Sequence, residues 1–78
     1  MKRPQPKRLP EKLRAIRQRL ALSQSEMTEQ LESVGHYGRI SEYERGRRVP
    51  TILTLLAYAR AARVPLESIV DDERELKL

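Results

Sequence analysis

The chain is predicted to be all-α, a compact bundle of five short helices with no β-sheet. Three observations lead there. Its 78 residues give room for one small domain and exclude folds built from two layers of long strands. Its apolar residues recur at helical spacing, and no segment alternates with period two. It has no Cys, no Trp and no Phe, so no disulfide and no large aromatic core can hold it together. A small aliphatic core suits helices, which satisfy their backbone groups within one segment.

Residues 1–9 (MKRPQPKRL) hold two prolines and four bases, the composition of an extended basic arm. The domain is expected over 10–71. Leu9, Leu13, Ile16 and Leu20 follow steps of four, three and four, and Pro10 suits a first turn, which predicts helix 1 over about 10–21. Ser23-Gln24-Ser25-Glu26 has the pattern of a capping box, with Met27 and Leu31 one turn apart behind it, so helix 2 is placed at about 24–32. The segment 33–38, Ser-Val-Gly-His-Tyr-Gly, reads as a turn. Ile40 and Tyr43 share one face of a short helix 3, about 37–45, which Gly46 stops. After a basic loop at 47–50, Thr51 caps helix 4, whose apolar positions are Ile52, Leu55, Leu56, Ala59 and Ala62. Val64-Pro65 ends it, and Leu66, Ile69 and Val70 lie on helix 5, about 66–71. Residues 72–78 form an acidic tail. Helices 2 and 3, joined by a turn and ending in a basic loop, have the layout of a helix-turn-helix.

Charge is segregated. Residues 1–19 carry eight bases and one acid, and residues 66–78 carry two bases and five acids, within a net charge of +5. A basic surface attracts polyanions, and nucleic acid is the commonest of these in a cell. The acidic end must point away from a bound duplex. An enzyme is not expected. His36 is the one histidine, it lies in a glycine-flanked turn, and no nucleophile has a base and an orienting partner. Asp71, Asp72, Glu73 and Glu75 read as a solvated tail and not as a metal site. No metal and no cofactor are expected. No apolar stretch is long enough to span a membrane, and no signal-peptide core follows the basic start. A cytoplasmic location follows.

Leu22-Ser23-Gln24-Ser25-Glu26-Met27, the block from Ile40 to Pro50 (ISEYERGRRVP), Leu55-Leu56 and Val64-Pro65-Leu66-Glu67 occur in an order that resembles the lambda-repressor-like, XRE-type helix-turn-helix domain. The likeness covers about 9–71. It implies a DNA-binding transcriptional regulator of bacterial or phage type, a repressor, with helix 3 in the major groove of double-stranded DNA. It implies that Gln24, Arg45, Arg47 and Arg48 hold phosphates, and that Tyr37, Arg39, Ser41 and Glu42 face bases. Arg17 and Glu44 correspond to an internal salt bridge between helices 1 and 3. Two departures are visible. The segment between Gln24 and Ile40 is two residues longer than in compact phage repressors, and Ala21 stands where the family usually has glycine.

A homodimer is expected, because two half-sites one helical turn apart need two copies. Helix 5 and the tail are where the family usually pairs. The alternative is an antitoxin-like or adaptor module whose main partner is another protein, through the tail with Leu76 and Leu78. No ligand-sensing domain is expected within these 78 residues.

Overall fold

The structure, a computed structural model, describes residues 6–35 and 38–78. Five helices follow one another: α1 (Leu9–Arg19), α2 (Gln24–Ser33), α3 (Ile40–Glu44), α4 (Ile52–Ala62) and α5 (Leu66–Val70). Among the described residues there is no strand, in agreement with the all-α expectation. α1 is the hub. It packs against α3, α4 and α5, while α2 packs against α3 and α4 against α5.

Each helix end has a local cause. The Ser23 hydroxyl accepts from the Glu26 amide at 3.1 Å and the Glu26 carboxylate accepts from the Ser23 amide at 2.8 Å, the reciprocal pair the spacing predicts. The Thr51 hydroxyl accepts from the Thr54 amide at the start of α4. α1 stops two residues earlier than the periodicity predicts, because Ala21 turns left-handed at φ 58°. The expected glycine conformation is therefore kept with an alanine in it, at a strain of about 1 kcal/mol. Arg63 adopts the same left-handed geometry after α4, where no glycine marks the stop.

The predicted span of helix 3 needs correction. α3 begins at Ile40, with Arg39 non-helical at φ −119° and ψ 75° and the Tyr43 amide donating to the Arg39 carbonyl, and Arg45 is its C-cap. Gly38 is packed in the turn ahead of it: a Cβ there would lie 3.2 Å from Tyr43 Cε2 and 3.4 Å from Leu31 Cδ1. Gly46 takes the left-handed position that ends α3, at φ 73°.

Leu9, Leu13 and Ile16 of α1 meet Met27, Leu31, Ile40, Tyr43, Leu55, Tyr58, Ala59 and Ile69 in one core. The face of α4 that meets the core differs from the predicted one, and Leu56 lines the groove toward α2 instead. Ile52 is 60% exposed, while Tyr58 is fully buried. The face that meets the core runs through 54, 55, 58 and 59, which rotates Ile52 and Leu53 outward.

Described residues at the inner end of the expected arm and in the expected tail pack onto the bundle. Leu9 lies inside α1 and is buried. Asp72 accepts from the amides of Lys7 (2.8 Å) and Arg8 (3.0 Å), which satisfies the start of α1 with a carboxylate favoured by the helix dipole. Lys12 is buried, and its ammonium donates to the carbonyls of Ser68, Asp71 and Arg74 at 2.8, 2.8 and 2.9 Å. The Arg8 guanidinium lies against Glu75 and Glu11. The C-terminal segment is thus folded onto α1.

Candidate nucleic-acid interface

α3 is aimed by an ion pair beneath it. Glu44 leaves the end of the helix with its side chain only 5% exposed. Its carboxylate accepts from Arg17 Nε at 2.6 Å and Arg17 Nη2 at 3.0 Å, a two-pronged guanidinium–carboxylate contact. Arg17 Nη1 donates to the Leu22 carbonyl, so the same side chain also ties down the α1–α2 turn. The Glu44 hydrogen bonds hold the Arg17 guanidinium above its ordinary range. Gln24, the first residue of α2, donates from Nε2 to Glu44 Oε1 at 3.2 Å. Three elements therefore converge on one carboxylate, which fixes α3 relative to α1 and α2. Such a pair contributes orientation more than stability, since burying both charges costs much of what their attraction returns.

Behind the pair lies Tyr58 of α4. Its hydroxyl is buried with no hydrogen-bond partner among the described residues. Burial, and secondarily the nearby Glu44, push its ionisation well above the usual phenol range.

The outer side of α3 is cationic. Arg39, Arg45, Arg47 and Arg48 are all exposed, at the start of the helix and in the loop after it. Arg45 and Arg47 make no ion pair among the described residues. Arg48 Nε donates to Glu42 Oε2 at 3.0 Å, and Arg39 Nη1 lies 3.6 Å from the same oxygen. Ser41 and Glu42 border an open notch between α2 and α3, together with Gln24, Ser25, Thr28 and Arg39.

The residues expected at the site are thus gathered in space, with two qualifications of position. Tyr37 lies outside the described residues. Arg39 precedes α3 instead of riding on it. Lys12 is a residue that charge counting misassigns, because it stands among the eight N-terminal bases and yet is buried. Its signal was present, since position 12 falls on the same face as 9, 13 and 16.

A short α2, a turn and an α3 held against α1, with an exposed basic loop behind, define a helix-turn-helix unit. A family model described as Helix-turn-helix matches residues 13–69, and the chain belongs to that family, the XRE-type, lambda-repressor-like group of DNA-binding regulators. No curated protein and no solved structure matches the chain. Among the described residues, no helix is long and apolar enough to cross a membrane.

Proposed function

We propose that this chain is a sequence-specific regulator of transcription, a repressor of bacterial or phage type that works on double-stranded DNA as a cytoplasmic homodimer. α3 enters the major groove. Gln24, Arg45, Arg47 and Arg48 hold phosphates on either side, and Tyr37, Arg39, Ser41 and Glu42 face base edges. The observation that carries this reading is the convergence of Arg17, Gln24 and Glu44, which holds α3 rigidly while four arginines around it stay on the surface. Phosphate contacts fix register and supply most of the affinity. Base contacts from α3 supply the choice of sequence.

Chemistry assigns roles within the surface. An arginine donates in pairs to the O6 and N7 of guanine, a carboxylate accepts from the N4 of cytosine, and a serine hydroxyl does either. Gln24 opens α2, where unpaired amides and the helix dipole favour an anion. A single unit offers few contacts, so pairing two units on adjacent half-sites supplies the remaining affinity.

The experiment is selection of bound duplexes from a random pool at about 0.15 M salt, near physiological ionic strength, with anisotropy titrations on the winner and a scrambled control. A palindromic winner bound about a thousandfold or more above control supports the reading. Equal, weak binding that vanishes as salt rises refutes it. One observation favours the second reading, a module for a protein partner: Val34, Ile52 and Leu53 are each 60% exposed, and Val34 and Leu53 border one apolar groove between α2 and α4.

A further inference from the structure

Glu42 sits where its charge is least helpful to a DNA-binding surface, between Arg48, which is proposed to meet phosphate, and Arg39, which is proposed to face a base. Its side chain is 37% exposed, and one oxygen, Oε2, faces both Arg48 Nε at 3.0 Å and Arg39 Nη1 at 3.6 Å. Arg39 precedes α3 and Arg48 follows it, so one carboxylate on the helix bridges the two ends of the surface. Oε1 takes no partner among the described residues. We infer that Glu42 is a positioning residue that determines specificity: it occupies Arg39 and Arg48 as a phosphate would, and so suppresses binding to DNA that offers Glu42 nothing in return.

The inference rests on the proposed DNA-binding function and deepens it. For a phosphate to take the Nε of Arg48, the bond to Glu42 must break. On an arbitrary sequence the carboxylate is then left beside a polyanion without a donor, and binding is weakened. On a sequence that presents a cytosine N4 donor at that position, the carboxylate regains a partner and the arginines are released at little cost. The same residue thus lowers affinity for most sequences and spares a few. Direct contact with a base is one part of its role, and restraint of its two neighbours is the other.

Exposed ion pairs are weak, so the effect is modest. Glu42→Gln is expected to tighten binding to a scrambled duplex by about three- to tenfold and to steepen the salt dependence by about one unit, as one more arginine becomes free for a phosphate. The ratio of selected-site to scrambled affinity falls. Removing any negative charge from a DNA-binding protein raises its affinity somewhat, so two controls separate restraint from net charge. Glu73→Gln makes the same charge change in the C-terminal segment. Arg48→Ala is measured in both the wild-type and the Glu42→Gln backgrounds. Restraint predicts that Arg48→Ala costs at least threefold more scrambled-duplex affinity when Glu42 is already neutral. It also predicts, without any DNA, that the Arg48 Nε–H exchanges with water faster in Glu42→Gln than in wild type.

Equal costs of Arg48→Ala in the two backgrounds, an equal gain from Glu73→Gln, or an unchanged Arg48 exchange rate would each overturn the inference. If wild-type protein binds no duplex at any salt concentration, the DNA-binding reading itself fails. That outcome is distinct from normal binding with an additive mutant cycle, which removes only the role given to Glu42.

Discussion

Lys12→Met tests how this small domain is closed. The substitution keeps the aliphatic stem, so the core position on α1 stays filled, and removes an ammonium that donates to three carbonyls. The Asp71 carbonyl also accepts from the Arg74 amide at 3.0 Å, so the loss falls on the carbonyls of Ser68 and Arg74. Hydrogen bonds from a charged group contribute about 1.5–3 kcal/mol each. The cost of burying the ammonium, several kcal/mol, disappears with it and offsets much of that sum. What remains is the desolvation of two unsatisfied carbonyls, about 1–3 kcal/mol each. We expect a net loss of about 3 kcal/mol. A chain of 78 residues has roughly 4–12 kcal/mol of total stability at the usual range per residue. For a domain of this size the loss lowers Tm by about 12–24 °C. Urea titration followed by far-UV circular dichroism measures it, with an unchanged slope showing that the unfolded state is not altered. A loss below about 0.5 kcal/mol, within the spread of ordinary surface changes, would mean that the carbonyls rehydrate freely. The C-terminal segment would then not be fastened by this side chain.

Other perturbations follow from the same geometry. Ala21→Gly relieves the left-handed φ of 58° and should stabilise the domain by up to about 1 kcal/mol; a destabilised variant would show that the turn is not strained. Tyr58→Phe removes a buried hydroxyl without a partner among the described residues. Thermal melts should put it within about 1 kcal/mol of wild type, on the stable side, whereas a larger loss would reveal a polar partner such as a bound water. Asp72 is held below the usual carboxylate range by the Arg8 and Lys7 amides, and Glu26 by the Ser23 amide and hydroxyl. Their stabilisation is present above the unfolded-state values near pH 4 and is lost as pH falls through the depressed folded-state values; Asp72→Asn should flatten that acid limb, and an unchanged limb would remove Asp72 from it. Replacing both Arg47 and Arg48 by Ala should weaken binding to all duplexes and reduce the salt slope by about one to two units. A changed sequence preference at constant slope would contradict their assignment to phosphates.

What the sequence makes legible is what local chemistry decides. The Ser23–Glu26 box and Thr51 are readable because a cap involves residues three apart. The helical face 9, 13, 16, 20 is readable because spacing alone defines it. Family likeness also brings Arg17 and Glu44 together across 27 positions, which no local pattern does. The illegible parts depend on tertiary contacts. The sequence pattern predicts helix 3 from residue 37, but Gly38 serves close packing against Tyr43 and Leu31, and the helix begins at Ile40. Ile52 looks like a core residue by type, and only the rotation of α4 on the core puts it outside and Tyr58 inside. The grip of Arg39 and Arg48 on Glu42 is likewise invisible in sequence, because it joins two ends of α3 through side-chain placement.

The segregated charge acquires a different meaning once its partners are known. Taken as a sequence, the eight bases before residue 20 suggest one polyanion-binding arm, and the acidic end suggests repulsion from the same target. In the fold, three of those bases are seen to be occupied within the molecule among the described residues. Arg8 meets Glu75 and Glu11, Lys12 meets carbonyls of the C-terminal segment, and Arg17 meets Glu44. Asp72 in turn caps α1. The basic start and acidic end therefore serve partly as each other's counterions, and they close the bundle on the side of α1 that faces α5. The arginines around α3 have a different status. Arg45 and Arg47 have no acidic partner among the described residues, and Arg39 and Arg48 share only the exposed Glu42. A phosphate backbone competes poorly for a charge already buried in hydrogen bonds, and well for one in water or in a weak exposed pair. The affinity of this chain for DNA should accordingly follow the arginines around α3 more closely than its net charge. Neutralising Lys12 should reach DNA binding mainly through stability.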